Sequence, residues 1–126
     1  MPKKHYTSSN APKPIGPYSQ AVAAGGLLFV SGQIPLDPGS GALVEGAIEG
    51  QTEQVLKNIL AILKEAKMGP ENVVKTTVFL ADLADFPRMN EVYERYLGKE
   101  APARSTIQAA GLPRGVKVEI DAIAAF

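Results

Sequence analysis

The chain has 126 residues, enough for one domain with a proper core and too few for two. Thirteen basic and thirteen acidic residues cancel, and beyond Lys3-Lys4 there is no basic cluster, which argues against nucleic acid as the main ligand. Cysteine is absent and His5 is the single histidine, so disulfides, thiolate chemistry and Cys- or His-rich metal sites are excluded, and a Ser–His–Asp arrangement has no positioned base. The apolar runs are too short to span a bilayer, and MPKKHYTSSNAPKPIG has no apolar stretch of the kind a signal peptide needs. The expectation is a soluble cytoplasmic protein with no membrane partner.

Residues 1–16 hold three prolines and several small polar residues, and read as an extended or irregular N-terminal segment, with His5 in a mobile stretch, of a single domain covering 1–126. YSQAVAA and LLFVSGQI flank Gly25-Gly26, which predicts a β-hairpin. Leu36–Gly41, LDPGSG, reads as a plain turn, because it lacks the lysine and the spacing of a P-loop. Helical spacing of Val55, Leu56, Ile59, Leu60, Ile62, Leu63 and Ala66 predicts a helix over Thr52–Lys67. Thr52 caps its start and Gly69-Pro70 stops it, while Glu53 and Lys57 pair on its outside. Val73–Leu80, VVKTTVFL, reads as a strand with Lys75, Thr77 and Phe79 on one face and Val74, Thr76, Val78 and Leu80 on the other.

A second helix is expected from Asp85 to Leu97, with Asp85 as N-cap, Pro87 in the first turn and Gly98 at the end. Its apolar stripe is Phe86, Met89, Tyr93 and Leu97. Asn90 falls on that stripe, where its amide needs a partner, either nearby backbone or a ligand. Pro102–Ile120 then reads as two short strands joined by the turn Gly111-Leu112-Pro113-Arg114-Gly115. The order β-β-α-β-α-β-β implies an α+β, two-layer domain: a mixed sheet with two helices on one face. The other face stays wet unless another subunit covers it. With Val30, Val78 and Ile107 available as outward apolar residues, self-association into a closed symmetric ring is expected.

The terminal segment carries the chemistry. Arg104 opens its first strand and Glu119 interrupts its apolar second strand, and charged residues are rarely at home there unless paired or reactive. An arginine fork receives a small carboxylate through two parallel N–H bonds. Thr106 shares a strand face with Arg104. If the turn pairs Glu119 with Thr106, Glu119 joins that face; a one-residue shift sends it to the opposite one, and the sequence leaves both registers, and a plain salt bridge, open. Pro17 presents Tyr18 at the mouth of a strand, where its hydroxyl either holds a ligand or is satisfied in the core. Ser31-Gly32 interrupts an apolar strand, as a bulge or a point of close backbone approach to a ligand.

Four stretches in order, IGPYSQAV (Ile15–Val22), FVSGQIPLDP (Phe29–Pro38), VKTTVFLADLADFPRMNEVYERY (Val74–Tyr96) and Pro102–Ile120, resemble the RidA/YjgF family of enamine/imine deaminases over essentially the whole chain. The resemblance implies a chorismate-mutase-like fold, a homotrimeric barrel and sites in the clefts between subunits. It implies hydrolysis of 2-iminopropanoate and 2-iminobutanoate to 2-keto acids and ammonia, with no metal or organic cofactor. Arg104 matches the family's carboxylate-binding arginine and Glu119 its water-positioning acid; Tyr18, Ser31, Gly32 and Asn90 match other pocket positions. Thr106 stands where many members carry cysteine, so thiol chemistry is not needed and an oxidation-dependent chaperone role is not expected. The alternative is a non-enzymatic regulatory trimer that senses 2-keto or amino acids in the same cleft. Chorismate mutase rests on fold analogy alone, and its dianionic substrate would want more than one cation. Neutral charge and the lone His5 speak against ribonuclease activity.

Overall fold

Alternating apolar residues build a single six-stranded sheet in the computed structural model, which describes residues 2–126. The strands are β1 (Lys4–Tyr6), β2 (Ala21–Ala24), β3 (Leu27–Gln33), β4 (Val73–Leu80), β5 (Ala103–Gln108) and β6 (Val118–Ala125). Helices α1 (Ile48–Glu65) and α2 (Phe86–Leu97) both pack on one face, the α+β arrangement expected. The sheet order is β1-β2-β3-β6-β4-β5, and only the β4–β5 pair is parallel, with α2 as its crossover. The Gly25-Gly26 hairpin forms as read, with Ala24 opposite Leu27 and both glycines at positive φ.

The terminal hairpin does not form. β5 and β6 are not neighbours; β4 lies between them. The segment around Gly111–Gly115 carries the chain from the sheet edge back to its centre. Hydrophobicity explains the exchange. Val118, Ile120, Ala122 and Ala124 are at most 2% exposed, so β6 belongs in the centre. β5 is polar, ARSTIQ, and suits an edge.

The helix-facing side of the sheet holds Leu28, Val30, Val78, Leu80, Val118 and Ile120, all buried against Val55, Leu56, Ile59, Ile62 and Leu63 of α1 and Met89, Val92 and Leu97 of α2. Val30 and Val78 therefore belong to the core and not to the outward face expected of them; Ile107 is exposed. The other side carries Phe29, Phe79, Glu119, Asp121 and Ile123, and among the described residues no element covers it. Val74 departs from the alternation predicted for β4. A register shift between Val73 and Lys75 turns its side chain into solvent.

Helix α1 begins at Ile48, four residues before the expected cap. Thr52 is fully buried inside it, with no partner for its hydroxyl. Tertiary contacts override the local signal. Ile48 is buried, and Gln51 accepts the Lys117 N–H at 2.8 Å and donates to the Val44 carbonyl at 3.1 Å. The Glu53–Lys57 pair forms at 3.4 Å. In α2, Asp85 makes no side-chain cap; Asp82 instead accepts the Ala84 N–H and caps the short turn before the helix. The 36–41 loop is the plain turn read from its sequence: Asp37 Oδ1 accepts the N–H groups of Gly39 and Ser40, leaving no amide nest for a phosphate.

Within residues 1–16, Lys4–Tyr6 adds an edge strand to β2, and His5, expected in a mobile stretch, bonds Ser19 Oγ at 2.7 Å. Gln20 holds the segment that follows. It is 2% exposed, accepts the Ser8 N–H, and its amide nitrogen donates to the carbonyls of Ser8 and Pro12. Removing that side chain orphans several buried backbone groups at about 1–3 kcal/mol each, partly relieved by water. Gln20→Ala is expected to lower stability by about 2 kcal/mol in urea titration and to speed amide exchange at Ser8.

Candidate active site

Two separate cavities contain the residues singled out in the sequence, Thr106 excepted. The first, about 380 Å³, lies at the uncovered face and is lined in part by Tyr18, Ser31, Gly32, Pro113 and Glu119. β3 loses register with β6 between Val30 and Gln33, and this bulge presents Ser31 and Gly32. Ser31 is fixed from both sides: its N–H donates to the Gln20 carbonyl at 2.9 Å and its hydroxyl to the Ser19 carbonyl at 2.5 Å. Gly32 has a steric reason to be glycine. A Cβ there would collide with the Glu119 carboxylate, so its absence lets that carboxylate lie against the strand backbone. Tyr18 is half exposed, and its hydroxyl accepts the Ile15 N–H at a long 3.4 Å, so the ring belongs to the cavity wall and not to the core.

Glu119 projects from near the start of β6, and among the described residues no hydrogen-bond donor meets it. Burial raises its carboxyl above the ordinary value near 4.5, and the like charge of Asp121, two residues along the same face, raises it further. A carboxylate tuned upward in this way accepts a proton more readily than an ordinary one.

The second cavity, about 440 Å³, opens between α2 and the edge strand β5 and is lined in part by Asn90, Tyr93, Glu94, Gly98 and Arg104. Arg104 sits opposite Thr76 of β4 and extends over the α2 face. Phe86, Asn90 and Tyr93 hold it. Its Nη1 donates to Asn90 Oδ1 at 2.8 Å, and its guanidinium carbon lies 4.7 Å from the Tyr93 ring centre and 5.3 Å from that of Phe86. Tyr93 is itself pinned by a 2.6 Å hydrogen bond shared with the buried Thr76 hydroxyl. Cation–π contacts contribute about 0.5–2 kcal/mol each. None of these partners carries a negative charge. Among the described residues the ion pairs are Lys57–Glu53 and Arg88–Asp85, so Arg104 keeps an unneutralised, half-buried charge. Thr106, two residues along the same strand face, has a buried hydroxyl with no partner.

The structure thus brings Arg104 and Asn90 to one cavity and Tyr18, Ser31, Gly32 and Glu119 to another, does not bring the two sets together, and leaves the Thr106 hydroxyl buried outside both. Of the two registers left open, neither applies, because β4 intervenes. Arg104 is opposite Thr76 and Glu119 opposite Phe79, on opposite faces of the sheet. Two strand spacings of ~4.8 Å and three residues of ~3.3 Å separate their Cα atoms by roughly 14 Å. They form no salt bridge within the chain. Asn90 bonds a side chain, not the backbone. Tyr93 and Phe86 were read only as core stripe and Glu94 not at all; the signal was the i, i+4, i+7 spacing of Phe86, Asn90 and Tyr93 on one helix face. Among the described residues no group of three or more metal-ligating side chains converges, and no helix is long and apolar enough to cross a membrane.

Comparison with known proteins places the chain. A 2-iminobutanoate/2-iminopropanoate deaminase from Mus musculus is 50% identical over 122 residues, which are 97% of this chain and 90% of the mouse protein. The crystal structure of RidA from an Antarctic Psychrobacter species has a TM-score of 0.93 at 41% identity, covering 98% of this chain and 99% of that one. That of E. coli TdcF with bound serine has a TM-score of 0.92 at 40% identity, covering 98% of both chains. The family model described as Endoribonuclease L-PSP matches residues 8–126. By that match and these relatives, the chain belongs to the Endoribonuclease L-PSP family, the RidA/YjgF family that its four motifs resemble.

Proposed function

We propose that the protein is a hydrolytic deaminase of small 2-imino acids, 2-iminopropanoate and 2-iminobutanoate, working as a homotrimer in which Arg104 of one chain meets Glu119 of another. One observation carries the reading: a positioned arginine without counter-charge and a carboxylate with a raised pKa occupy two half-sites on opposite faces of one sheet. A three- or four-carbon acid cannot span them within one chain. The sheet face that bears Glu119 is uncovered and mixes Phe29 and Ile123 with charge, and Ile107 at the β5 edge is exposed. Packing such faces around a closed ring joins the half-sites and leaves no free sheet face. The mouse relative's name supplies the reaction class.

The chemistry asks little of the protein. Arg104 grips the substrate carboxylate through two N–H groups and orients the adjacent C=N. Protonated, that C=N is an iminium, already electrophilic. A water placed by Glu119 adds to the iminium carbon and gives one proton to the carboxylate. Glu119 returns that proton to nitrogen, takes the hydroxyl proton as the C–N bond breaks to leave a 2-keto acid and ammonia, and passes it to the ammonia, which departs as ammonium. One water and one iminium acid are consumed, and no redox partner is needed. Backbone at Ser31-Gly32 and the hydroxyl of Tyr18 complete the polar lining.

A sensor that only binds the acid would use Arg104 but gives no work to a proton-exchanging Glu119. The family's endoribonuclease description finds little support, since His5, the single imidazole, lies outside both cavities.

Ammonia release from 2-iminobutanoate generated in situ is the test, and a wild-type protein that fails to accelerate it ends the proposal. Arg104→Ala is expected to abolish turnover, and Arg104→Lys to restore little, since an ammonium lacks the planar fork. Asn90→Ala is expected to weaken 2-ketobutyrate binding by about tenfold with folding stability changed by less than ~1 kcal/mol. Light scattering at micromolar concentration should give three times the 13.3 kDa chain mass.

The raised pKa of Glu119 fixes two signs. Activity that needs the ionised carboxylate falls as pH drops through a value above the ordinary 4.5. Because the folded-state pKa exceeds the unfolded one, the protonated group's contribution to stability is complete below the unfolded value and is lost as pH rises through the folded one. Glu119→Gln is therefore expected to be inactive yet more stable than wild type at pH 8, with that difference closing toward pH 4, as read by thermal melts.

A further inference from the structure

We infer that Glu94 makes the Arg104 cavity a receptor for zwitterions, with Arg104 taking a carboxylate and Glu94 the cationic nitrogen beside it, so that the site prefers a net-neutral α-amino or α-iminium acid over an anionic keto acid. The inference rests on the Arg104 reading above and goes beyond it to the charge type of the ligand. Glu94 and Arg104 line the same cavity of about 440 Å³. They have opposite charges yet do not pair, for neither takes part in the two ion pairs found among the described residues. Placement explains why they stay apart. Asn90, one helical turn before Glu94, already engages the guanidinium at 2.8 Å, and the rings of Phe86 and Tyr93 hold it. The Glu94 stem lies beside Gly98 at the helix end, where a Cβ on that residue would meet its Cγ at 2.8 Å. A cation and an anion held apart across a small cavity match a ligand that carries the complementary pair.

The arrangement has a consequence for turnover. Hydrolysis removes the cationic nitrogen and leaves a keto acid with a carboxylate alone. The product then keeps its contact with Arg104 and faces Glu94 as a like charge. The site would hold substrate better than product. A second carboxylate on the ligand would be disfavoured by the same charge.

The probes are 2-aminobutyrate, a stable zwitterion, and 2-ketobutyrate, its anionic counterpart, titrated calorimetrically into the full chain. Glu94 is solvent-exposed and its amide counterpart has the same shape, so the fold is kept. In Glu94→Gln the ratio of 2-aminobutyrate to 2-ketobutyrate affinity is expected to fall roughly 3- to 10-fold, the size of one charge acting over several ångströms in a wet cavity. The shift should shrink in 1 M salt, where the screening length is about 3 Å. Glu94→Lys should reverse the preference. A ratio unchanged in both variants overturns the role of Glu94 while leaving Arg104 in place. Wild-type protein that binds neither acid overturns the Arg104 reading and this inference with it.

Discussion

Burial of β6 between β3 and β4 decides where every charged side chain of the candidate site ends up. Val118, Ile120, Ala122 and Ala124 face the helices and are almost completely buried, so Glu119 and Asp121 must face the other way. At about 25 cal/mol per Å² of apolar surface, burying four such side chains far outweighs the cost of leaving one carboxylate part-desolvated. The same choice pushes the polar β5 to the sheet edge, where Arg104 can reach under α2. One hydrophobic decision therefore splits the arginine from the glutamate.

The two half-sites are prepared by different physics. Arg104 is held by groups without charge: two aromatic faces, one amide oxygen, and behind Tyr93 a buried threonine hydroxyl. Such a cradle fixes orientation while leaving the full positive charge for a ligand. Glu119 is prepared by deprivation instead. It has a part-buried carboxyl, a like-charged neighbour and a missing Cβ at Gly32 that brings it against the backbone. Its proton affinity rises as a result.

Much of this was legible in the sequence because local signals agreed with the fold. β4 was read at its observed ends, the Gly25-Gly26 hairpin formed, and α2 differed by a single residue at its start. Three features were not legible, each because a non-local interaction won. Thr52 resembles a cap, but Gln51 anchors the helix four residues earlier through Lys117, 66 positions away. The Gly111–Gly115 turn resembles a hairpin, but the apolar register of β6 finds better partners in β3 and β4. Val30 and Val78 were assigned outward because strand alternation does not say which face the helices will cover. For the site, residue identity was legible and arrangement was not. Arg104, Glu119 and Asn90 stood out as charges or amides on apolar patterns, while their division between two cavities depends on sheet order.

The central claim is that a working site needs two copies of the chain, one giving Arg104 and the other Glu119. The most direct measurement is subunit complementation. Arg104→Ala and Glu119→Gln proteins are each assayed alone, then unfolded together in equal amounts, refolded and assayed again. In statistically mixed closed rings roughly a quarter of the interfaces join an intact Arg104 to an intact Glu119, so the mixture should recover about a quarter of wild-type deamination from two inactive parents. A mixture that forms mixed rings, as verified by mass spectrometry, and remains inactive would contradict the account.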